Sequence, residues 1–216
     1  MARRRRETRR TMGGLRLATA VLLVLAGTAL AEGRRYADPL PHTVSHAGEL
    51  LVARPEMGDP RFAHAVVFLV RHTADGAMGL VVNRPVEQRP AAEVLKEFGI
   101  EGVAAEGDLR IHYGGPVQLE LAFVLHSPDY RGPTTVVVND DFAMTADPEI
   151  LKAITTGKGP KRSILARGYA GWGAGQLEGE LALKAWEVVP ADPDLVFGGR
   201  FEDLWNRAIK RRGIDL

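Results

Sequence analysis

A glycine-rich segment, residues 168–175 (GYAGWGAG), is the strongest candidate for binding chemistry in this sequence. It follows a short strand pattern and precedes a predicted helix at residues 176–184. Backbone N–H groups at the start of a helix bind anions, and a strand, a glycine loop and a helix present them in that order. Gly171 and Gly173, which flank Trp172, are therefore candidate ligand-binding residues, and so is the tryptophan.

The same segment has a second interpretation that involves no ligand. Its glycines are spaced GxGxG, which does not match the GxGxxG of dinucleotide sites, and no Lys followed by Ser or Thr completes a phosphate loop. A tight turn packed around Trp172 needs the same glycines, at backbone angles that a Cβ atom disfavours. The sequence favours this packing turn, keeps anion binding as the alternative, and gives little support to a dinucleotide site.

A second candidate region lies at the end of a predicted hairpin that spans residues 65–83. Arg84 follows it, and a guanidinium group binds a carboxylate or phosphate through two hydrogen bonds. Asn83 and His72 are expected to converge with Arg84 at this hairpin. The alternative is structural: Asn83 bonds to nearby backbone, and Arg84 pairs with an acidic side chain.

The segment Tyr113-Gly114-Gly115-Pro116 is a candidate second wall of a pocket. Glycine has no side chain, so a ligand can approach the main chain closely at Gly114 and Gly115. The alternative interpretation is a plain turn, which the same residues also favour.

Several kinds of chemistry are missing from the sequence. There is no Cys, which excludes disulfides, Cys-ligated zinc and thiol catalysis. Neither HExxH nor GxSxG occurs, so a zinc-protease helix and a nucleophile elbow are absent. His42 and His46 have the four-residue spacing of a helical metal site, but Pro41 argues against a helix there. We therefore predict no metal, no cofactor and no catalytic residues.

Charge is distributed unevenly along the chain. Residues 1–31 hold seven Arg and one Glu, which leaves 21 basic and 26 acidic residues in the remainder, a net charge of −5 with His neutral. Phosphate contacts from Lys and Arg supply much of the affinity of nucleic-acid binding. A mildly acidic domain is therefore not expected to bind nucleic acid, and its partner is expected to be another protein or a small anionic ligand.

The N-terminal 31 residues have the pattern of an export signal. A basic region up to Arg16 precedes an uncharged apolar stretch of 15 residues, which ends in Ala29-Leu30-Ala31. That pattern predicts cleavage after Ala31 and a periplasmic or exported protein, with membrane contact only through the signal segment. The segment TRRTM at residues 8–12 also resembles a twin-arginine signal. Residues 32–47 contain prolines and no hydrophobic period, and are predicted to be a linker.

Hydrophobic periodicity indicates the elements of the remaining domain, residues 48–216. Strand patterns are predicted at residues 49–53, 65–71, 79–83, 109–113, 121–126, 134–138, 163–166 and 186–189. Helix patterns are predicted from Pro90 to Phe98, with Gly99 as the stop, from the N-cap Asp147 to Gly157, at residues 176–184 and at residues 201–212. Strands and helices do not alternate steadily, which favours an α+β fold over a doubly wound sheet.

Five segments, taken together and in order, resemble the AlgH/YqgE family of bacterial proteins, which has no assigned biochemical activity. They are residues 50–62 (LLVA and DPRF), 72–85 (HTADGAMGLVVNRP), 113–117 (YGGPV), 168–178 (GYAGWGAGQLE) and 191–215 (ADP, Trp205 and GID). The resemblance implies a mixed, mostly antiparallel sheet curled into a partial barrel with surrounding helices. It implies no enzyme activity, metal or cofactor. Ala174 and Lys184 depart from the family pattern.

Two functions of different classes follow. Without a catalytic set, the chain is expected to be a non-enzymatic binding or accessory module of the cell envelope. Some family members are described as transcriptional regulators, and most have no signal peptide, so a cytoplasmic regulator is the alternative. An exported protein cannot touch DNA in the cytoplasm, and the sequence shows no helix-turn-helix pattern. A hydrolase whose catalytic residues come from distant segments is a further alternative.

Overall fold

Runs of β-branched and aromatic residues form the central strands, as their strand propensity predicts. The computed structural model describes residues 44–211, all within one compact unit. The predicted signal segment and most of the predicted linker lie outside this range. The described residues form ten strands: β1 (Glu49–Ala53), β2 (Val66–Thr73), β3 (Gly76–Val81), β4 (Pro85–Pro90), β5 (Asp108–Tyr113), β6 (Val117–His126), β7 (Thr135–Val137), β8 (Ala143–Thr145), β9 (Ser163–Gly173) and β10 (Trp186–Pro190).

Five helices accompany the strands in the same part of the chain. They are α1 (Ala91–Glu97), α2 (Glu149–Thr155), α3 (Gln176–Ala182), α4 (Pro193–Phe197) and α5 (Leu204–Lys210). Gly99 and Gly157 follow the first two helices with φ angles of 75° and 72°, as expected for glycines that end a helix. All five are short, so their stability comes mainly from the apolar faces that they pack against the sheet.

The strands form a mixed sheet that curls into a half-barrel, which confirms the predicted α+β class. Its strand order is β10-β1-β2-β3-β9-β6-β8-β7, with β5 paired to β9 and β4 paired to β5. Among the described strands, β5 and β9 form the one parallel pair, and all other pairs are antiparallel. The sheet is therefore mostly antiparallel, as the family resemblance implied.

Strand β9 joins the two parts of this sheet. Residues near its start pair with β5 on one edge and β6 on the other. Near its end, Gly171 pairs with Met78 of β3 and Gly173 pairs with Gly76. Strand β9 is eleven residues long. It positions both the hairpin of β2 and β3 and the connection between β5 and β6.

Three apolar clusters hold the fold together. The inner core lies on the side of the sheet where α4 and α5 pack, and includes Leu50, Phe68, Phe123, Phe142 and Trp205. The tryptophan core lies on the other side of β2, β3 and β9 under α3, and includes Leu69, Ala170, Trp172, Leu177 and Trp186. A third cluster joins α1 and α2 to β5, β6 and β9, and includes Val94, Leu95, Ile111, Ile150 and Leu151.

Three elements differ from the prediction. Strand β4 begins and ends with proline and is largely exposed, so its sequence lacks the apolar alternation of a half-buried strand. Strand β8 has only three residues, too few for a periodic pattern. Helix α4 has only five residues. A run this short carries no helical period, although Asp192 caps it by accepting hydrogen bonds from the N–H groups of Asp194 and Leu195.

Candidate functional site

The glycine-rich segment is not the loop that the sequence predicted. Strand β9 continues to Gly173, and only Ala174 and Gly175 separate it from α3. Pairing with β3 supplies backbone hydrogen bonds that need no side chain, so the glycines remain in the sheet. Positive φ angles occur at Gly168 and Gly175, whereas Gly171 and Gly173 have ordinary ones. The expectation that Gly171 and Gly173 adopt angles reserved for glycine was therefore wrong.

Trp172 lies in the tryptophan core with 7% of its surface exposed. Its indole N–H donates to Glu180 Oε2 at 2.9 Å, and the indole of Trp186 donates to the same oxygen at 2.8 Å. Gln176 donates to the other carboxylate oxygen at 2.9 Å. The two tryptophan rings meet edge to face, with centroids 6.0 Å apart. The structure thus places Trp172 in a packed interior, with its one polar group bonded.

Asn83 and Arg84 hold a neighbouring loop by its main chain. Asn83 Oδ1 accepts from the backbone N–H of Val66 at 2.8 Å, and its Nδ2 donates to the carbonyl of His64 at 2.9 Å. The guanidinium of Arg84 donates to the carbonyls of Arg61 and Ala63. Asn83 bonds to backbone as expected, but to residues 17 and 19 positions away in the chain and not to local backbone. The prediction that Arg84 pairs with an acid was wrong.

His72 does not converge with these two residues. It pairs with Ala77 near the tip of the β2–β3 hairpin, whereas Asn83 follows the far end of β3. Its Nδ1 accepts from the backbone N–H of His46 at 3.1 Å, and its Nε2 lies 3.2 Å from Glu178 Oε1. Both ring nitrogens are engaged, so this side chain tethers the segment before β1 to α3.

Gly114 and Gly115 mark a close crossing of two chain segments. The connection from β5 to β6 passes over β9, which lies between these two strands. A Cβ atom at Gly114 would lie 2.3 Å from the carbonyl oxygen of Gly168, and one at Gly115 would lie 2.1 Å from the carbonyl carbon of Tyr169. Only glycine fits at this distance, so both residues serve the crossing.

A hydroxyl and an imidazole form a pair that resembles a nucleophile and its base. Thr145 Oγ1 lies 2.9 Å from His126 Nε2, and His126 Nδ1 lies 2.7 Å from the carbonyl of Ser127. Thr145 Oγ1 also lies 2.6 Å from the hydroxyl of Thr135. Both members of the pair are at most 1% exposed, and burial lowers the pKa of His126. The pair is closed to a substrate and acts as a buried hydrogen-bond chain.

His112 is a buried polar residue that is incompletely bonded. It is 1% exposed and meets the ring of Phe201 edge to face at 4.5 Å. Within residues 44–211, its Nδ1 has no hydrogen-bond partner. The pKa of His112 is lowered to about 4, mainly by burial; a hydrogen bond with the backbone of Val82 raises the pKa, and the positive charge of Arg110 lowers it. The imidazole is therefore neutral near pH 7.

The sequence did not single out Arg71, which lies on the same side of the sheet as the inner core. A β-bulge at Val70 places Arg71 directly opposite Met78, and opposed residues share a face. Met78 in turn pairs with Gly171. These three residues form a row across β2, β3 and β9.

The row ends at an aromatic ring. Tyr169 precedes Gly171 by two residues, so the two share a face, and its Cε2 lies 3.2 Å from the position of a Cβ at Gly171. Tyr169 and Met78 are partly buried against the inner core, and Gly171 is exposed. We name the surface formed by Arg71, Met78, Tyr169 and Gly171 the Arg71 face.

Arg71 differs from the other half-buried arginines of residues 44–211. The others each donate to a carboxylate or a carbonyl oxygen: Arg54, Arg84, Arg89, Arg167 and Arg207. The Arg71 side chain has no hydrogen bond, ion pair or ring contact within the same residues. It is therefore a half-buried cation whose hydrogen-bond donors are not used by the fold.

No site for a metal ion is formed by the histidines and carboxylates of residues 44–211. His42 lies outside this range, so the pair that it forms in sequence with His46 is not described. In the part of the chain that the structure covers, none of the helices has the length and hydrophobicity to cross a membrane.

Proteins with similar sequences and solved structures with a similar fold are both known. A UPF0301 protein of Rhodospirillum rubrum is 48% identical over 168 residues, which cover 78% of this chain and 88% of the relative. A UPF0301 protein of Jannaschia is 45% identical over 170 residues, with the same two coverages. A crystal structure of a Corynebacterium diphtheriae protein, 22% identical with a TM-score of 0.61 over 80% of this chain and 90% of its own, shares the fold.

The solution structure of the AlgH protein from Pseudomonas aeruginosa is also similar. It is 38% identical, with a TM-score of 0.70, and the match covers 82% of this chain and 94% of that one. The family model described as AlgH-like matches residues 50–216, which include all the segments that carried the resemblance in the sequence. The chain therefore belongs to the AlgH-like family.

Proposed function

We propose that this protein is a non-enzymatic binding module of the cell envelope, and that it recognises an anionic group at the Arg71 face. The observation that carries the proposal is the half-buried residue Arg71, whose guanidinium donors have no acceptor within residues 44–211. The fold leaves these donors to water, so Arg71 is able to bind an anionic group through two hydrogen bonds.

The predicted ligand-binding residues divide into two groups with respect to this proposal. Gly171 belongs to the Arg71 face, and Gly173 lies two residues further along the same side of β9 with no atom within 4 Å of its Cβ position. Asn83, Arg84 and Trp172 have side chains whose polar groups are bonded within the fold. Gly114 and Gly115 serve the crossing over β9. The proposal therefore keeps Gly171 and Gly173 and adds Arg71, which the sequence patterns did not indicate.

A thermal-unfolding titration with inorganic phosphate tests anion recognition. A ligand that binds only the folded state raises the melting temperature. We expect phosphate to raise it in the wild type and in Arg131→Gln, where an exposed arginine is removed as the matched control, but not in Arg71→Gln. Equal protection of all three proteins would show that the Arg71 face is not the binding site.

The proposal that the protein is exported rests on the sequence of residues 1–31. The basic region, the apolar stretch and Ala29-Leu30-Ala31 support cleavage by signal peptidase. N-terminal sequencing of the protein purified from its native host should begin at Glu32, in the periplasmic or extracellular fraction. An intact Met1 on protein from the cytosolic fraction would reject the envelope location and leave the binding proposal in place.

Direct duplex DNA recognition is the alternative raised by the descriptions of some family members. The net charge of −5 outside residues 1–31 does not favour it, because phosphate contacts normally dominate such binding. A mobility-shift assay at about 0.15 M salt is expected to show no tight sequence-selective complex, since specific proteins bind at about 10⁻⁸ M or below. A selective complex at such concentrations would overturn the proposal in favour of a regulator.

A further inference from the structure

We infer that the ligand of the Arg71 face is a small amphipathic monocarboxylate, whose head group bonds to Arg71 and whose apolar body lies over Met78 and Gly171 against Tyr169. This inference rests on the function proposed above and names the chemical class of its ligand. Two observations support it: Arg71 places a positive charge at one end of the row, and the other residues of the face are apolar or lack a side chain.

The single positive charge of the Arg71 face matches a ligand that carries a single negative charge. Strands β2 and β3 and the last four residues of β9 contain one basic residue other than histidine, which is Arg71. Arg167, further back on β9, donates to Glu97 and lies over the Phe98 ring, in the third apolar cluster. The planar guanidinium of an arginine matches a carboxylate through two parallel hydrogen bonds. One cation in this position suits a carboxylate better than a phosphate dianion.

The remainder of the face is apolar, and its strand β9 residue Gly171 has no side chain. Met78 and Tyr169 are partly buried against the inner core, so part of each side chain stays accessible. Gly171 lies between them without a side chain and is exposed. Methionine adapts its shape to different apolar neighbours. An aliphatic or aromatic group placed over Gly171 would contact methionine on one side and the tyrosine ring on the other.

The methionines provide a direct probe of this geometry. Met57 packs at the edge of the tryptophan core, Met78 lies in the Arg71 face, and Met144 is buried in the inner core. With ¹³C-labelled methionine methyl groups, we expect titration with sodium octanoate to shift the Met78 signal and to leave those of Met57 and Met144 in place. Affinity should rise from acetate through butyrate to octanoate, by about two- to fourfold for each methylene that leaves water.

Two variants separate the head group from the apolar body. Arg71→Gln should weaken octanoate binding at least fivefold, whereas the control Arg131→Gln should not change it. Gly171→Val adds a side chain beside Met78 and against the Tyr169 ring, and should weaken octanoate binding while acetate binding is unchanged. The Met144 methyl signal serves as a check that each variant is folded.

The outcomes distinguish this inference from the proposed function. If acetate or inorganic phosphate binds through Arg71 as tightly as octanoate, the amphipathic class is overturned and anion recognition stands. If octanoate shifts the Met78 signal equally in the wild type and in Arg71→Gln, the carboxylate contact is overturned. If none of the three anions shifts the Met78 signal, both the inference and the anion-binding proposal fail.

Discussion

The two faces of the last residues of β9 differ in how completely the fold uses their polar groups. On one face, Trp172 is buried, and its indole donates to Glu180, which also accepts from Trp186 and Gln176. On the opposite face, Gly171 is exposed and lies in a row with Arg71, whose donors have no acceptor within residues 44–211.

This difference separates residues that stabilise the protein from residues that are available for recognition. Buried polar groups are almost always bonded, because leaving one unbonded costs about 1–3 kcal/mol. The tryptophan core satisfies that rule within the protein. Arg71 is only half-buried, so its donors bond to water or to a ligand. Mutations in the tryptophan core should therefore lower stability, whereas mutations on the Arg71 face should weaken binding and leave stability nearly unchanged.

The largest effect on stability is expected in the tryptophan core. Trp172→Ala removes a buried ring and should lower the free energy of unfolding by about 3–5 kcal/mol. Trp172→Phe keeps much of the packing, loses the bond to Glu180, and should cost less. Urea unfolding of both variants and the wild type measures these values. A Trp172→Ala variant as stable as the wild type would place Trp172 among the recognition residues instead.

Two glycine substitutions compare the crossing over β9 with the exposed end of β9. Gly115 has a φ of 150°, and a Cβ there would overlap the backbone of Tyr169, so Gly115→Ala should destabilise the protein by about 3 kcal/mol. Gly173 has an ordinary φ and nothing within 4 Å of its Cβ position, so Gly173→Ala should change stability by less than about 0.5 kcal/mol. Thermal unfolding of the two variants measures the difference, and similar melting temperatures would argue against the close crossing.

His112 should make the stability of the protein depend on pH. Its pKa of about 4 in the folded protein lies below the ordinary value of 6.5, because burial disfavours the charged ring. Between these values the unfolded chain binds a proton that the folded protein does not, so stability falls as the pH falls from about 6.5 to 4, by up to about 3 kcal/mol. His112→Gln should remove this part of the pH dependence in urea unfolding. Identical pH dependence in the two proteins would contradict the lowered pKa.

Local signals in the sequence predicted much of the fold. Gly99 and Gly157 end helices as expected, and the apolar runs of β1 and β2 form strands. The end of β9 was missed because glycines favour loops locally, and pairing with β3 overrides that preference. Strand β4 was missed because an exposed edge strand needs no apolar alternation.

The candidate site was less predictable, because its main feature is the lack of a partner. Nothing in the sequence distinguishes Arg71 from Arg84, since both follow strand residues and both are able to bind an anion. Arg84 donates to carbonyls of a loop some twenty positions earlier in the chain, and the bulge at Val70 turns Arg71 to the face shared with Met78. Both outcomes depend on tertiary contacts between distant segments.

The stability of Arg71→Gln in the absence of ligand tests the central claim most directly. If Arg71 serves recognition and not folding, urea unfolding should give a free energy within about 0.5 kcal/mol of the wild type, as for other surface substitutions. The same variant should no longer be stabilised by added octanoate or phosphate. A loss of 2 kcal/mol or more in the ligand-free variant would show that Arg71 is a structural residue and would contradict the account.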